Sequence, residues 1–503
     1  MGLIVRQSLK SSLGFYVGIG LGAINTLFVS TQYLTPDQLA ISRILLENSL
    51  IFAAFAHLGT PYIGDRFFSH FRNDAERHHG FLVFLLLFPL LGIALLLLGY
   101  WFFQDFVNDY YRPKSPTIIP YFWLSMPLTV CWIYLIVLET YCRNNARIAV
   151  PTFIREVAFK LINILLILAC GFGFISYDGY LYGLTAALGG MVVLLLGYVW
   201  HLGKLYLKWE PQYWNKKLIL EMAGFGVIVV LGGVGANLVL FLDRNIIANR
   251  LGTTEVAIFT IAMYIGGIIE VPSKAIRSIS GPILAAALQK NDTQQVRELY
   301  QKSALNLLLI GGITFLLVVC NIDSLLGILP KSEIYSQGKW VVVLIGLAKL
   351  LDMSLGLNIE LITYSKYFRF NTVLVLLLAG FVVLANRFLL PRYGINGAAM
   401  ATAATTLLGA FIKSGFVQWK YKLLPLLRRD WAAVAVLAAV GLLGHLIPSF
   451  GNNTISKIAE IGVKSGLMLL FFAFLVIRFR VSDDLFYIYR NQIKPLLPPL
   501  FRR

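Results

Sequence analysis

"NRFLLPRYGINGAAMATAATTLLG", residues 386–409, joins two long apolar runs, and its reading decides the fold. The run 369–390 stops at Pro391, and the run 396–419 starts just after Gly394. Proline lacks a backbone donor and glycine tolerates positive φ, so the two together predict a tight turn between helices. Beyond the turn, Gly397, Ala398, Ala399, Ala401 and Ala403 give the second helix a thin face on which a neighbour can pack closely.

The solvent for such helices follows from composition. Of 503 residues, 58% are hydrophobic and only 14% charged, and the mean hydropathy is +0.74. These values exclude a water-soluble globule and indicate a bilayer. About fourteen apolar runs have roughly the 17 to 25 residues a spanning helix needs, some of them more. They lie near 9–32, 37–66, 81–103, 117–141, 148–171, 178–203, 217–242, 254–283, 300–325, 337–363, 369–390, 396–419, 430–448 and 458–478. The connections are too short to fold as domains, so the chain must work between its helices. Cys131, Cys142, Cys170 and Cys320 stand singly in apolar runs, with no disulfide or zinc spacing. "MGLIVRQSLK" has no cleavage site, and Arg6 stands where a myristoylation signal needs Ser or Thr. The first helix is therefore expected to be retained without a lipid anchor.

Basic residues set the orientation. With a cytoplasmic N-terminus, 27 Lys and Arg fall on that side and nine on the other, which predicts an even number of spans and both termini in the cytoplasm. The same bias accounts for the net charge of +18 without a nucleic-acid partner. The tail "RFRVSDDLFYIYRNQIKPLLPPLFRR" mixes aromatic and basic residues, as suits an interfacial segment on an anionic leaflet.

Internal similarity suggests a duplication. "GFYVGIGLG" at 14–22 matches "GFGVIVVLG" at 224–232 in five of nine positions, and "LTPDQLAISRI" at 34–44 matches "LGTTEVAIFTI" at 251–261 in four of eleven. "GLTAALGGM" at 183–191 echoes "GAAMATAAT" at 397–405 more weakly, and the three offsets are 210, 217 and 214. The expected plan is an N-lobe of six helices over 1–206, a C-lobe of six over 207–425, two further helices over 426–480, and a cytoplasmic tail over 481–503.

The segment 386–409 resembles the "N…L-P-x-x-G-I-x-G-A-A-x-A-T" signature of polysaccharide flippases in the MOP (multidrug, oligosaccharidyl-lipid, polysaccharide) exporter superfamily. The six-plus-six-plus-two plan resembles that MATE-like superfamily over essentially the whole chain. The resemblance implies an all-α polytopic fold and a Wzx-type, O-antigen-like activity. In that activity an undecaprenyl-pyrophosphate-type, lipid-linked oligosaccharide crosses from the cytoplasmic to the outer leaflet by alternating access. It also implies a V-shaped inter-lobe cavity with basic residues near the diphosphate, a bacterial inner-membrane location, and other polysaccharide-assembly proteins as partners. The small residues of 397–403 are scaffold in this reading, not ligands.

The embedded charges supply the candidate site. Arg43 and Glu47, Glu156 and Lys160, the series Glu270, Lys274, Arg277, and Lys349 with Asp352 each share a helix face. Such pairs can neutralise each other. A charge at the bilayer centre costs about 3 kcal/mol or more, so these residues are expected to face a cavity or another helix rather than lipid. Arg43, Lys274, Arg277, Lys349 and Lys160 are the candidate diphosphate or glycan ligands. At about 1.5 Å per residue, Arg43 lies roughly 10 Å below Pro36 on its helix, and Lys274 roughly 30 Å from Thr254 on the eighth, towards the cytoplasm. Arg277 adds a surplus cation there, and guanidinium suits phosphate oxygens. Pro61, Pro272 and Pro282 are the candidate bending points. Glu47, Glu270, Asp352 and Glu156 are candidates for H+ or Na+ coupling; burial raises a carboxyl pKa and a neighbouring cation lowers it. No other cofactor and no metal is expected.

Three alternatives stand beside the oligosaccharide flippase. A peptidoglycan-precursor flippase shares the local motifs. A MATE-type cation or drug antiporter would want unpaired acids, whereas the embedded groups here carry at least as many bases. A membrane polymerase, ligase or glycosyltransferase would present a large outer loop, and the outer loops reach only about a dozen residues. No P-loop is present, so the chain is not expected to hydrolyse ATP.

Overall fold

The computed structural model describes residues 3–73, 75–427, 430–451, 453–488 and 490–491. Helices form almost all of it, and among the described residues eleven are long and apolar enough to cross a membrane. Each of the fourteen expected runs falls on helix. The counts differ because Phe368–Tyr421 is one helical path of 54 residues, Trp431–Leu446 has only 16, and the stretch before Phe159 contains a π turn.

Residues 1–260 form one compact unit and 261–503 a second. The first contains α1 (Leu3–Ala23), α2 (Pro36–Ala56), α3 (Thr60–Phe71), α4 (Phe81–Tyr111), α5 (Ser125–Asn144), α6 (Phe159–Gly171), α7 (Tyr177–His201) and α8 (Lys216–Arg250). Helix α9 (Thr253–Gly267) straddles the boundary, and the second unit then contains α10 (Val271–Gln289), α11 (Thr293–Cys320), α12 (Lys339–Ser354), α13 (Asn358–Thr363), α14 (Phe368–Tyr421), α15 (Trp431–Leu446) and α16 (Thr454–Phe479). The boundary expected near 206 follows the sequence duplication, while the compact units follow packing. Helix α8 packs on α2, α3 and α4, which puts it with the N-terminal unit. Most of the expected tail, 489 and 492–503, lies outside the described residues.

Helix starts follow local chemistry. At α2, Thr35 accepts from the Gln38 amide at 3.2 Å, the Gln38 side chain accepts from the Thr35 amide at 3.0 Å, and Pro36 opens the first turn. Asn215 caps α8 through the Leu218 amide at 2.7 Å, and Asp292 caps α11 through Gln295 at 3.0 Å.

Breaks come where glycine takes the strain. The run 37–66, expected as one helix, is interrupted at Leu58 and Gly59, both at positive φ. Pro61 does not bend a continuous helix there; it lies in the first turn of α3. A Cβ on Gly59 would fall 2.6 Å from the Gly226 Cα, so the same glycine admits α8. Pro272 likewise sits in the first turn of α10, after the 3-10 turn Ile268–Glu270, while Pro282 lies inside that helix. In the segment 386–409, Pro391 remains helical and the turn rests on Gly394 alone, at φ 57° and ψ −140°. The thin face beyond it is packed as expected: Ala398, Ala399 and Ala401 are fully buried, and a Cβ on Gly397 would come within 2.1 Å of the Leu389 carbonyl oxygen.

Candidate functional site

Three charged clusters lie inside the helices, two in the N-terminal unit and one in the C-terminal unit. The first joins α2 to α8. Glu47 does not pair with Arg43 as the spacing suggested; Arg244 Nη1 lies 3.2 Å from Glu47 Oε2, and both residues are 8% exposed. Arg43 instead donates from Nη2 to Thr26 Oγ1 at 2.7 Å. Thr26 belongs to the π turn Ile24–Val29 at the end of α1, and π turns recur at functional sites. Arg244 also donates from Nε to Thr260 Oγ1 at 3.2 Å. Thr260 is the position that the repeat aligns with Arg43, so both copies of the motif meet an Arg–Thr contact, with donor and acceptor exchanged. Beside the ion pair, Asn48 and Asn245 share a hydrogen bond of 2.8 Å, and Tyr111 donates to Asn245 Oδ1 at 2.5 Å. This polar ring holds α2, α4 and α8 in register.

The second cluster surrounds α6. Lys160 Nζ lies 3.0 Å from Glu156 Oε2, as the i,i+4 spacing predicts, and also donates to the Gly18 carbonyl at 2.9 Å. Arg155 pairs with Glu139 at 2.6 Å and with Glu156 at 3.1 Å. Glu156 lies in the π turn Ile154–Ala158, and α1 passes so close that a Cβ on Gly18 would meet the Glu156 carbonyl oxygen at 2.7 Å.

The third cluster assembles from α10, α12, α13 and α14. Lys349 pairs with Glu270 at 2.6 Å, across helices, rather than with Asp352 on its own helix. Asp352 Oδ2 lies 3.9 Å from Arg277 Nη2, and its Oδ1 lies 3.7 Å from Lys413 Nζ. Glu360 Oε1 is 3.8 Å from Arg277 Nε. Lys274 is exposed beside them. Four bases therefore meet three acids. The structure thus keeps every expected charge inside a cluster but changes most partners, because helix packing brings carboxylates nearer than the same-face neighbour does.

Sequence reading missed Arg244, Lys413, Glu360, Glu139 and Arg155 as cluster members. Lys413 in "GAFIKSGF" and Glu360 in "LNIELIT" are lone charges in apolar runs, the signal that found Arg43. Arg244 stands where a run ends, so it read as an outer-side loop cation; in the structure it lies within α8, which runs on to Arg250. Elsewhere in the C-terminal unit, a cleft of about 500 Å³ lined by Asn291, Arg297 and Tyr421 shares no residue with the cluster.

Membrane-length helices here carry clustered charges inside the fold. Known proteins share parts of this sequence and its fold. Residues 234–352 match the MatE family model. The "Probable low-salt glycan biosynthesis flippase Agl15" of Haloferax volcanii is 24% identical over 290 residues, 56% of this chain and 58% of the relative, so the match spans little more than half of that protein. Among solved structures, the lipid II flippase MurJ in an inward closed conformation is 12% identical with a TM-score of 0.71, covering 94% of this chain and 99% of its own. An inward-facing multidrug resistance MATE family transporter of the MOP superfamily is 13% identical with a TM-score of 0.61, covering 84% of this chain and 98% of its own. The fold is like that of these two structures, as the resemblance of 386–409 implied. These relatives are flippases and transporters by name, not catalysts.

Proposed function

We propose that this protein is a flippase for a lipid-linked oligosaccharide whose diphosphate carries the headgroup charge. It moves its substrate from the cytoplasmic to the outer leaflet by alternating access, with both termini in the cytoplasm. The observation that carries this reading is the state of Arg277 in the third cluster. It lies 3.8 Å from Glu360 and 3.9 Å from Asp352, both beyond hydrogen-bond length, so an anion that comes closer is the ligand that completes it. The likeness to a glycan biosynthesis flippase of Haloferax volcanii supports the same substrate class. A carrier of cationic drugs would require acids free of bases, whereas each of these acids faces a cation. Coupling to H+ or Na+ would fall to Glu47, Glu156, Glu270 or Asp352. The test is a flipping assay in proteoliposomes with Arg43→Ala, Arg277→Ala and Lys349→Ala made singly. Loss of a charge-assisted contact of about 1.5–3 kcal/mol predicts roughly a tenfold or larger fall in rate for at least one variant. Full transport by all three, at normal expression, refutes the reading.

A further inference from the structure

We propose that Arg277 is the residue that grips the anionic headgroup, and that Asp352 and Glu360 are internal anions which hold its place until the diphosphate displaces them. The inference rests on the flippase reading above. Its support is a contrast within one cluster. Lys349 is closed on Glu270 at 2.6 Å, within hydrogen-bond length. Arg277 is 3.8 Å from Glu360 and 3.9 Å from Asp352, both beyond hydrogen-bond length. Its Nε is buried with no hydrogen-bond partner, and Glu360 Oε2 is in the same condition.

A guanidinium in that state is neutralised by charge but unsatisfied as a donor. Leaving a buried donor unmade is unfavourable, so the arrangement is worth keeping only where a better acceptor arrives. Two phosphate oxygens fit the Nε and Nη2 fork at about 2.7–2.9 Å, a geometry that two carboxylates from different helices do not reach here. The exchange also leaves the displaced groups provided for. Asp352 Oδ1 already faces Lys413 Nζ at 3.7 Å, so Asp352 has a cation to close on when it gives up Arg277. Gripping and release thus become an exchange of one anion for another, with no step at which Arg277 stands uncompensated.

The full-length protein in phosphatidylcholine nanodiscs is titrated with farnesyl diphosphate and, separately, with inorganic pyrophosphate. Asp352→Asn and Glu360→Gln each remove a competitor and are expected to tighten farnesyl diphosphate binding by about threefold to tenfold. Arg277→Ala is expected to weaken it by about tenfold or more, and Arg277→Lys to weaken it by less than alanine does, since charge stays while the fork goes. Lys339→Ala, at an exposed pair with Asp323, is expected to change nothing. Asp352→Asn also strips Lys413 of its partner; where it fails to give a monodisperse protein, Glu360→Gln carries the test. If the neutralised carboxylates leave binding unchanged or weaken it as Arg277→Ala does, while the wild type binds, they are scaffold; the inference falls and the flippase reading stands. Binding of pyrophosphate without farnesyl diphosphate overturns the assignment to a lipid-linked anion. If neither probe binds any form, the anionic-headgroup reading fails first and the inference with it.

Discussion

Replacing Arg244 with alanine removes the partner of Glu47 from a site where both residues are 8% exposed. Removing one member of a buried ion pair costs about 3–5 kcal/mol, because the other charge stays buried and uncompensated. The structure places the expected value at the lower end. Arg43 is one turn from Glu47 on α2, already close enough to act on its charge while donating to Thr26, so it can swing onto the carboxylate once Arg244 is gone. Arg244→Ala is therefore expected to cost about 3 kcal/mol, and the double variant Arg43→Ala with Arg244→Ala more than the sum of its singles. A second double variant, Glu47→Leu with Arg244→Met, fills the site with apolar groups of similar size. It should recover most of the loss, since apolar replacement of a buried pair is often neutral or stabilising by about 1–4 kcal/mol. Denaturation by SDS titration in mixed micelles, followed by tryptophan fluorescence, measures all four on one scale. Two results refute the reasoning: a Leu–Met variant no more stable than Arg244→Ala, or strict additivity of the two arginine truncations.

Other outcomes are expected elsewhere. Gly397→Ala places a Cβ 2.1 Å from the Leu389 carbonyl oxygen, and such overpacking should lower stability by about 1–3 kcal/mol, read as a lower melting temperature in detergent. Gly59→Ala adds strain at φ 77° to a contact with Gly226, and should loosen α8, read as faster cleavage in limited proteolysis. In the linker 202–215, His79 lies 3.0 Å from Glu210 Oε2 and Lys208 3.2 Å from Oε1, and these bonds hold the Glu210 carboxyl below its ordinary 4.5. A depressed pKa stabilises the folded linker above about pH 4.5 and the stabilisation is lost as the pH falls below it, so proteolysis of the linker should rise in acid for the wild type and depend less on pH in Glu210→Gln.

The fold was legible in the sequence because a bilayer leaves few options: backbone groups must bond within helices, so apolar length alone locates them. Ends and breaks were less legible. Gly59 takes positive φ where α8 packs against it, and the run 37–66, in which Pro61 marked a bend, divides two residues earlier at that glycine. The site was legible as a set of residues and not as a set of pairs. Charges inside apolar runs announce themselves, as Arg43 and Lys349 do. The partners of Glu47 and Glu270 come from helices 197 and 79 positions away, and those of Asp352 from 75 and 61 positions away, and helical periodicity holds no information at that range. Only Glu156 and Lys160, adjacent on one helix, kept the pairing that spacing implied.

The association of α8 with the N-terminal unit bears on how the protein is made. Helices α1 to α7 precede the linker on the ribosome, yet the carboxylate of Glu47 receives Arg244 only when residue 244 has been synthesised and inserted. Until then Arg43, one turn away on α2, is the cation within reach of that acid. A gene cut at the duplication boundary, between 206 and 207, would divide this ion pair between two polypeptides. A cut between 260 and 261 would leave it in one. The boundary suggested by the sequence repeats and that of the compact units therefore differ by α8 and about half of α9.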